Sequence, residues 1–188
     1  MSFSTNAGGL EENHWALDAD FGGGRIIGEA CHFVDLAQYW CGARITSVYA
    51  AAARSPGRPP AEPRAEQDVT CVLTFADGSS AAIVYASRGD PTRGKERCEI
   101  FGGGACAAIE DFRILETSRG GKRKVVRFGG SAKGQAEEMA LFADFCLARE
   151  PMPQEFVEFQ LLSSLATILI PHSIRAGAVQ QVATESIL

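Results

Sequence analysis

The sequence predicts an α+β fold: a mostly antiparallel sheet of about seven strands with helices packed on one face. Three observations carry this. Pairs of β-rich segments are separated by short glycine turns, as in successive hairpins. One segment of helical period precedes them and two follow. The dinucleotide fingerprint G-x-G-x-x-G is missing from a chain with 20 glycines. Gly22 and Gly24 would need a third glycine at Ile27, and Gly102 and Gly104 would need one at Ala107.

Residues 1–21 contain Asn6-Ala7-Gly8-Gly9 and His14-Trp15 and read as an irregular lead-in. Residues 24–41 predict a helix, because Ile26, Ile27, Ala30, Phe33, Val34, Ala37 and Cys41 recur at intervals of three and four. Gly42 supplies its stop. Residues 45–53 read as a strand, and 55–66, with four prolines, as an exposed loop. Three hairpins come next. Residues 69–75 and 81–85 flank Asp77-Gly78, 98–101 and 105–109 flank Gly102-Gly103-Gly104, and 112–117 and 124–128 flank Gly120-Gly121. Two helices close the chain, at about 134–149 and 155–176. The second is the more apolar and is expected to pack on the sheet, with Pro171 kinking or ending it.

A chain of 188 residues fits one domain with a substantial core. Its hydrophobic fraction of 46% and charged fraction of 22% are those of a soluble globular protein. A net charge of −5 argues against nucleic-acid or anionic-membrane partners. The longest apolar stretch, 161–170, is interrupted by Ser163, Ser164 and Thr167 and falls short of the roughly 18 residues of a membrane span. The first residues lack the basic region and apolar core of a secretory signal. The six cysteines form no CxxC pair and several sit in apolar runs, so buried reduced thiols in a cytoplasmic protein are expected.

The chemistry concentrates between Gly22 and Asp35, where three glycines run into Glu29, His32 and Asp35 at three-residue intervals. Histidine titrates near neutrality, and a carboxylate beside it fixes its tautomer. On a helix, residues three apart are neighbours, so Glu29 and Asp35 are expected to flank His32. The same spacing also describes the solvated polar edge of an amphipathic helix. No metal is expected: HExxH is absent and His32 has no second histidine at i+4. The run 89–96 mimics a P-loop by spacing. However, Glu96 stands where Ser or Thr must hold magnesium, and a strand comes after it instead of a helix. His14-Trp15 offers a stacking face and a polar donor for a sugar-like ligand, or a half-buried loop pair. Lys95 and Arg97 either face an anion or are ordinary hairpin charges. The basic run from Arg119 to Arg127 reads as a solvated sheet edge, and His172 as a capping or core histidine.

The run Gly22-Gly23-Gly24-Arg25-Ile26-Ile27-Gly28-Glu29-Ala30-Cys31-His32-Phe33-Val34-Asp35 resembles the opening of the C-terminal domain of Gfo/Idh/MocA-type oxidoreductases, relatives of glucose–fructose oxidoreductase and inositol dehydrogenase. Asn6-Ala7-Gly8, His14-Trp15, Lys95-Glu96, Glu99 to Gly104, Glu110 to Arg113, Lys133-Gly134 and Ser173 to Gly177 extend the resemblance over about residues 6–177. It implies the substrate-binding and oligomerisation domain of an oxidoreductase acting on a hydroxyl of a sugar, cyclitol or related polyol. It also implies NAD or NADP held by a separate N-terminal Rossmann domain, which 1–188 does not match, so no tight cofactor binding and no turnover are expected of this chain alone. A homo-oligomer through the sheet face is expected. By position, His32 is the proton-transfer residue. Many members carry an aspartate where Gly28 stands here, so Glu29 is its candidate replacement. Asn6, His14, Trp15, Arg25 and Asp35 are candidate substrate-binding residues. The competing reading is a non-enzymatic oligomerisation or sugar-binding module.

Overall fold

The computed structural model describes residues 1–11, 13–18, 20–53, 66–130, 133–147, 149 and 151–183. Among the described residues nine strands form one sheet: β1 (Ser2–Asn6), β2 (Ile45–Ala52), β3 (Val69–Phe75), β4 (Ser80–Ala86), β5 (Glu96–Gly102), β6 (Ala105–Glu110), β7 (Ile114–Arg119), β8 (Lys122–Arg127) and β9 (Gln180–Gln181). Their order is β8-β7-β6-β5-β1-β4-β3-β2-β9. Every pairing is antiparallel except β1 with β4. The three expected hairpins are present. In the first, Gly78 takes φ 86° and Asp77 Oδ1 accepts from the Ser79 backbone N–H and hydroxyl. The loop expected at 55–66 lies, apart from Glu66, outside the described residues.

The lead-in is not irregular at its start. Residues 2–6 form β1, which lies between β5 and β4 in the middle of the sheet. Only Phe3 and Thr5 of its five residues turn inward. One apolar side chain is too little alternation to read as a strand, and the slot is filled by backbone pairing on both sides. The two-residue β9 was also unforeseen, which brings the count from about seven to nine.

Three α-helices among the described residues accompany the sheet: α1 (Cys31–Cys41), α2 (Gln135–Cys146) and α3 (Gln154–Ala176). Phe33, Val34 and Ala37 of α1 and Leu162, Ala166, Ile170 and Ile174 of α3 join Val48, Cys71, Leu73, Ile83 and Tyr85 of the strands in one core. Gln38 is buried and fastens this layer: its Nε2 donates to Phe159 O at 2.6 Å and its Oε1 accepts from Ile45 N at 3.1 Å. Gly42 ends α1 as expected, with φ 66° and its N–H on Gln38 O. Pro171 does not end α3, which runs on to Ala176. Buried near the C-terminal end, Pro171 removes one backbone hydrogen bond where packing offsets the loss.

By length and composition alone α3 is also long and apolar enough to cross a membrane, a property the interrupted stretch 161–170 had not suggested. Its inward face belongs to the core just described. α2 buries no residue, and its Phe145 ring meets Phe156 of α3 at 6.4 Å. The sheet face opposite α1 and α3 exposes Tyr49, Val72, Val84, Phe101 and Val125. All six cysteines are free. Cys71 and Cys98 are buried as expected, but Cys106 and Cys146 are exposed, because neither β6's outer face nor α2 is covered.

Candidate functional site

The glycine run leads into a π-helical turn, Ile26–Ala30, which continues directly into α1. A π turn bonds i to i+5 and shifts the angular phase of the helix beyond it, and such turns recur at functional sites. Glu29 lies within it. Its Oε2 accepts from Tyr85 Oη at 2.5 Å and from Arg25 Nη2 at 2.7 Å, and its Oε1 from Lys95 Nζ at 2.9 Å. Partial burial pushes this carboxyl up, but hydrogen bonds from Tyr85, Lys95 and Arg25 outweigh burial and bring it down to about 2. Glu29 is therefore a permanent anion at neutral pH. Burial, and then the Glu29 carboxylate itself, push the Tyr85 phenol upward, so that it stays a donor.

His32 is exposed, on the first turn of α1. No hydrogen bond joins it to Glu29 among the described residues. Spacing alone placed the two side by side, but the π turn and three competing donors draw the carboxylate toward the sheet. Arg25 is buried. Its Nη1 donates to Gly8 O at 2.6 Å and its Nη2 to Ala7 O at 3.4 Å, and its guanidinium lies 5.3 Å from the centre of the Tyr85 ring. It thus holds the chain leaving β1 against the π turn. Asp35 Oδ1 accepts from Gln160 Nε2 at 3.1 Å and Ser163 Oγ at 3.0 Å, joining α1 to α3.

Asn6 stands at the end of β1, and its Nδ2 donates to Asp90 O at 2.8 Å. Its Oδ1 is buried and has no hydrogen-bond partner among the described residues. Asn6 shares a cleft of about 460 Å³ with residues 7–9, 89 and 91–95, Lys95 included. His14 Nδ1 accepts from Ala16 N and caps the short 3-10 turn Trp15–Leu17. Trp15 is 66% exposed and stacks on the His14 ring at 5.8 Å. Of the paired candidates Lys95 and Arg97, only Lys95 reaches this site. Arg97 turns to the opposite sheet face, where it pairs with Glu99 and Glu110. Tyr85 was missed entirely. Its signal was the inward register of β4, where it sits level with Thr5 of β1, itself level with Glu96 of β5.

The described residues do not fit a dinucleotide cradle. Such a cradle needs a strand, a glycine turn open to phosphate and a helix within a parallel unit. The single parallel pair here, β1 with β4, is connected through α1, β2 and β3. Gly22 is not open to a ligand either: a Cβ there would lie 2.5 Å from Trp15 O and 2.7 Å from Ala16 Cα. It is glycine because backbone passes against it.

A family model described as the GFO/IDH/MocA C-terminal domain matches residues 1–107. No curated protein matches the sequence. Solved structures share the fold. An NAD binding oxidoreductase from Klebsiella pneumoniae superposes with TM-score 0.72 at 17% identity, over 97% of this chain and 58% of that one. A levoglucosan dehydrogenase in complex with NADH and levoglucosan gives 0.70 at 18%, over 97% and 58%. An aldose-aldose oxidoreductase from Caulobacter crescentus complexed with glycerol gives 0.69 at 18%, over 96% and 55%. The chain thus spans a little over half the length of these relatives.

Proposed function

Since the chain belongs to the GFO/IDH/MocA C-terminal domain family, we propose that it is the substrate-binding and catalytic half of an NAD(P)-dependent oxidoreductase acting on a hydroxyl of a sugar, cyclitol or related polyol. The observation that carries this reading is the fixed Glu29 anion at the entrance to α1, with His32 exposed on the next turn. His32 exchanges a proton with the substrate hydroxyl. Glu29 does not take that proton; it holds Lys95 and Arg25 and so shapes the wall beside it. Asn6 and Trp15 contact substrate from the cleft and from the exposed turn. Arg25, Asp35 and His14 act by holding the segments that carry these groups.

Hydride transfer belongs to NAD or NADP on a nucleotide-binding domain, a reading supported by the NADH complex of a relative. The chain is one domain that docks on that partner in the cytoplasm, and it has no nucleic-acid or membrane partner. It forms a homo-oligomer through the open sheet face, where Tyr49, Val72, Val84 and Phe101 are exposed. That face also favours a second reading, an oligomerisation module with a vestigial pocket. The test combines the chain with a family nucleotide-binding domain and follows NAD(P)H absorbance over a polyol panel. Turnover that His32→Ala lowers by about a hundredfold or more supports the catalytic reading. Equal rates for wild type and variant remove His32 from it.

A further inference from the structure

A second cleft, of about 320 Å³, adjoins the first and shares Lys95 with it. Across both, four cationic residues line the walls: Arg93, Lys95, Arg113 and Lys133. They meet two carboxylates, Glu96 and Asp111. With Glu29, which pairs with Lys95 from beside the groove, four cations stand against three carboxylates, so the groove carries an excess positive charge on a chain whose net charge is −5. A local reversal of sign of this kind concentrates anions.

Both wall carboxylates are already engaged. Glu96 is buried and its Oε2 lies 2.7 Å from Lys133 Nζ. Asp111 Oδ1 accepts from Glu96 N at 2.8 Å. Lys95 is shared with Glu29. Arg113 is exposed, and among the described residues its guanidinium has no carboxylate partner. Its backbone is nonetheless fixed, donating to Glu110 O and accepting from Phe128 N. The turn before it holds Asp111 at φ 48° and Phe112 at φ 53°, a left-handed backbone that a bulky residue seldom adopts. Strain of this kind clusters at functional sites. The Phe112 ring also lies 5.2 Å from Lys133 Nζ.

The opposite wall is preformed as well. Asn6 ties the 89–95 loop down at both ends, donating from Nδ2 to Asp90 O and from its backbone N to Lys95 O. Two glycines permit the close approach: a Cβ at Gly89 would lie 2.2 Å from Asn6 Oδ1, and one at Gly94 would lie 2.3 Å from Asp111 Oδ2. A loop held this way binds without a further ordering cost. The run that mimics a P-loop by spacing is thus one wall of a cationic groove.

We propose that this groove receives an anionic group, a carboxylate or a phosphate, carried on the sugar or polyol substrate, with Arg113 as its principal ligand and Lys95 and Lys133 beside it. This rests on the polyol reading above and narrows its substrate class. A guanidinium matches either oxyanion with two parallel N–H donors. A neutral polyol would leave the excess charge of the groove without a use.

The test is calorimetric titration of the chain with glucuronate, glucose 6-phosphate, inorganic phosphate and glucose, at low and high salt. A charged sugar is expected to bind at least about tenfold more tightly than glucose, with the margin shrinking in salt. Arg113→Ala should weaken the charged sugar by about tenfold or more, and Arg113→Lys should recover part of that loss. Because Arg113 is exposed, an unchanged melting temperature should accompany both variants. Preference for glucuronate assigns a carboxylate, and preference for glucose 6-phosphate assigns a phosphate. Inorganic phosphate binding as tightly as the sugar phosphate keeps the anion groove and removes the polyol reading. Equal binding of glucose and the charged sugars keeps the polyol reading and overturns this proposal. So does a preference that Arg113→Ala leaves intact, and so does failure of every charged probe to bind.

Discussion

Replacing Glu29 with glutamine should cost the fold about 2 kcal/mol at neutral pH, and the cost should vanish in acid. The carboxyl is moved from 4.5 to about 2, which corresponds to about 3 kcal/mol favouring its charged form. Lys95 is 50% exposed and the Glu29 side chain 26% exposed, so solvent screening reduces this to about 2 kcal/mol. Arg25, at 5% side-chain exposure, would be left with carbonyl partners alone, which keeps the cost from falling much further. The folded-state value lies below the unfolded one, so the contribution is complete above about 4.5 and is lost as pH falls toward about 2. Urea denaturation followed by circular dichroism at a series of pH values measures it. Wild type and Glu29→Gln should differ by about 2 kcal/mol at neutral pH and converge in acid. A gap under about 0.5 kcal/mol, or one that stays constant into acid, would refute the assignment of Glu29 as a fixed anion.

Two further predictions test the surroundings of the site. Gly22→Ala should destabilise the chain by about 1–3 kcal/mol, because the new methyl meets Trp15 O and Ala16 Cα, neither of which can move aside cheaply; a stability unchanged in urea would mean the turn is looser than described. Thiol titration with a disulfide reagent should modify Cys106 and Cys146 quickly and leave Cys71 and Cys98 until unfolding, since burial pushes both of the latter up to about 12. Rapid reaction of all six cysteines would contradict the burial.

The hairpins were legible because Asp77-Gly78, Gly102-Gly103-Gly104 and Gly120-Gly121 are local turn chemistry between β-rich segments. α1 was legible from its apolar period and Gly42. β1 was not, since Phe3 is its one buried apolar residue and its place depends on β4 and β5, far along the chain. His32 stood out through its own neighbours in sequence. The partners of Glu29 did not: Tyr85 and Lys95 lie 56 and 66 residues away and reach it through sheet register. The π turn also escaped, because apolar spacing reports an average helical period and not which carbonyl each N–H bonds. The contacts of Asp35 with Gln160 and Ser163 were likewise hidden, because both partners lie on a helix whose docking no local pattern reveals.

The most direct measurement of the central claim uses the chain's three histidines as reporters. Imidazole nitrogen shifts of His14, His32 and His172 can be followed by NMR while a sugar or polyol is titrated. His32 is expected to shift in a saturable way while His172, exposed on α3, stays still. A His32 signal indifferent to every sugar and polyol, or one moving no more than His172, would contradict it.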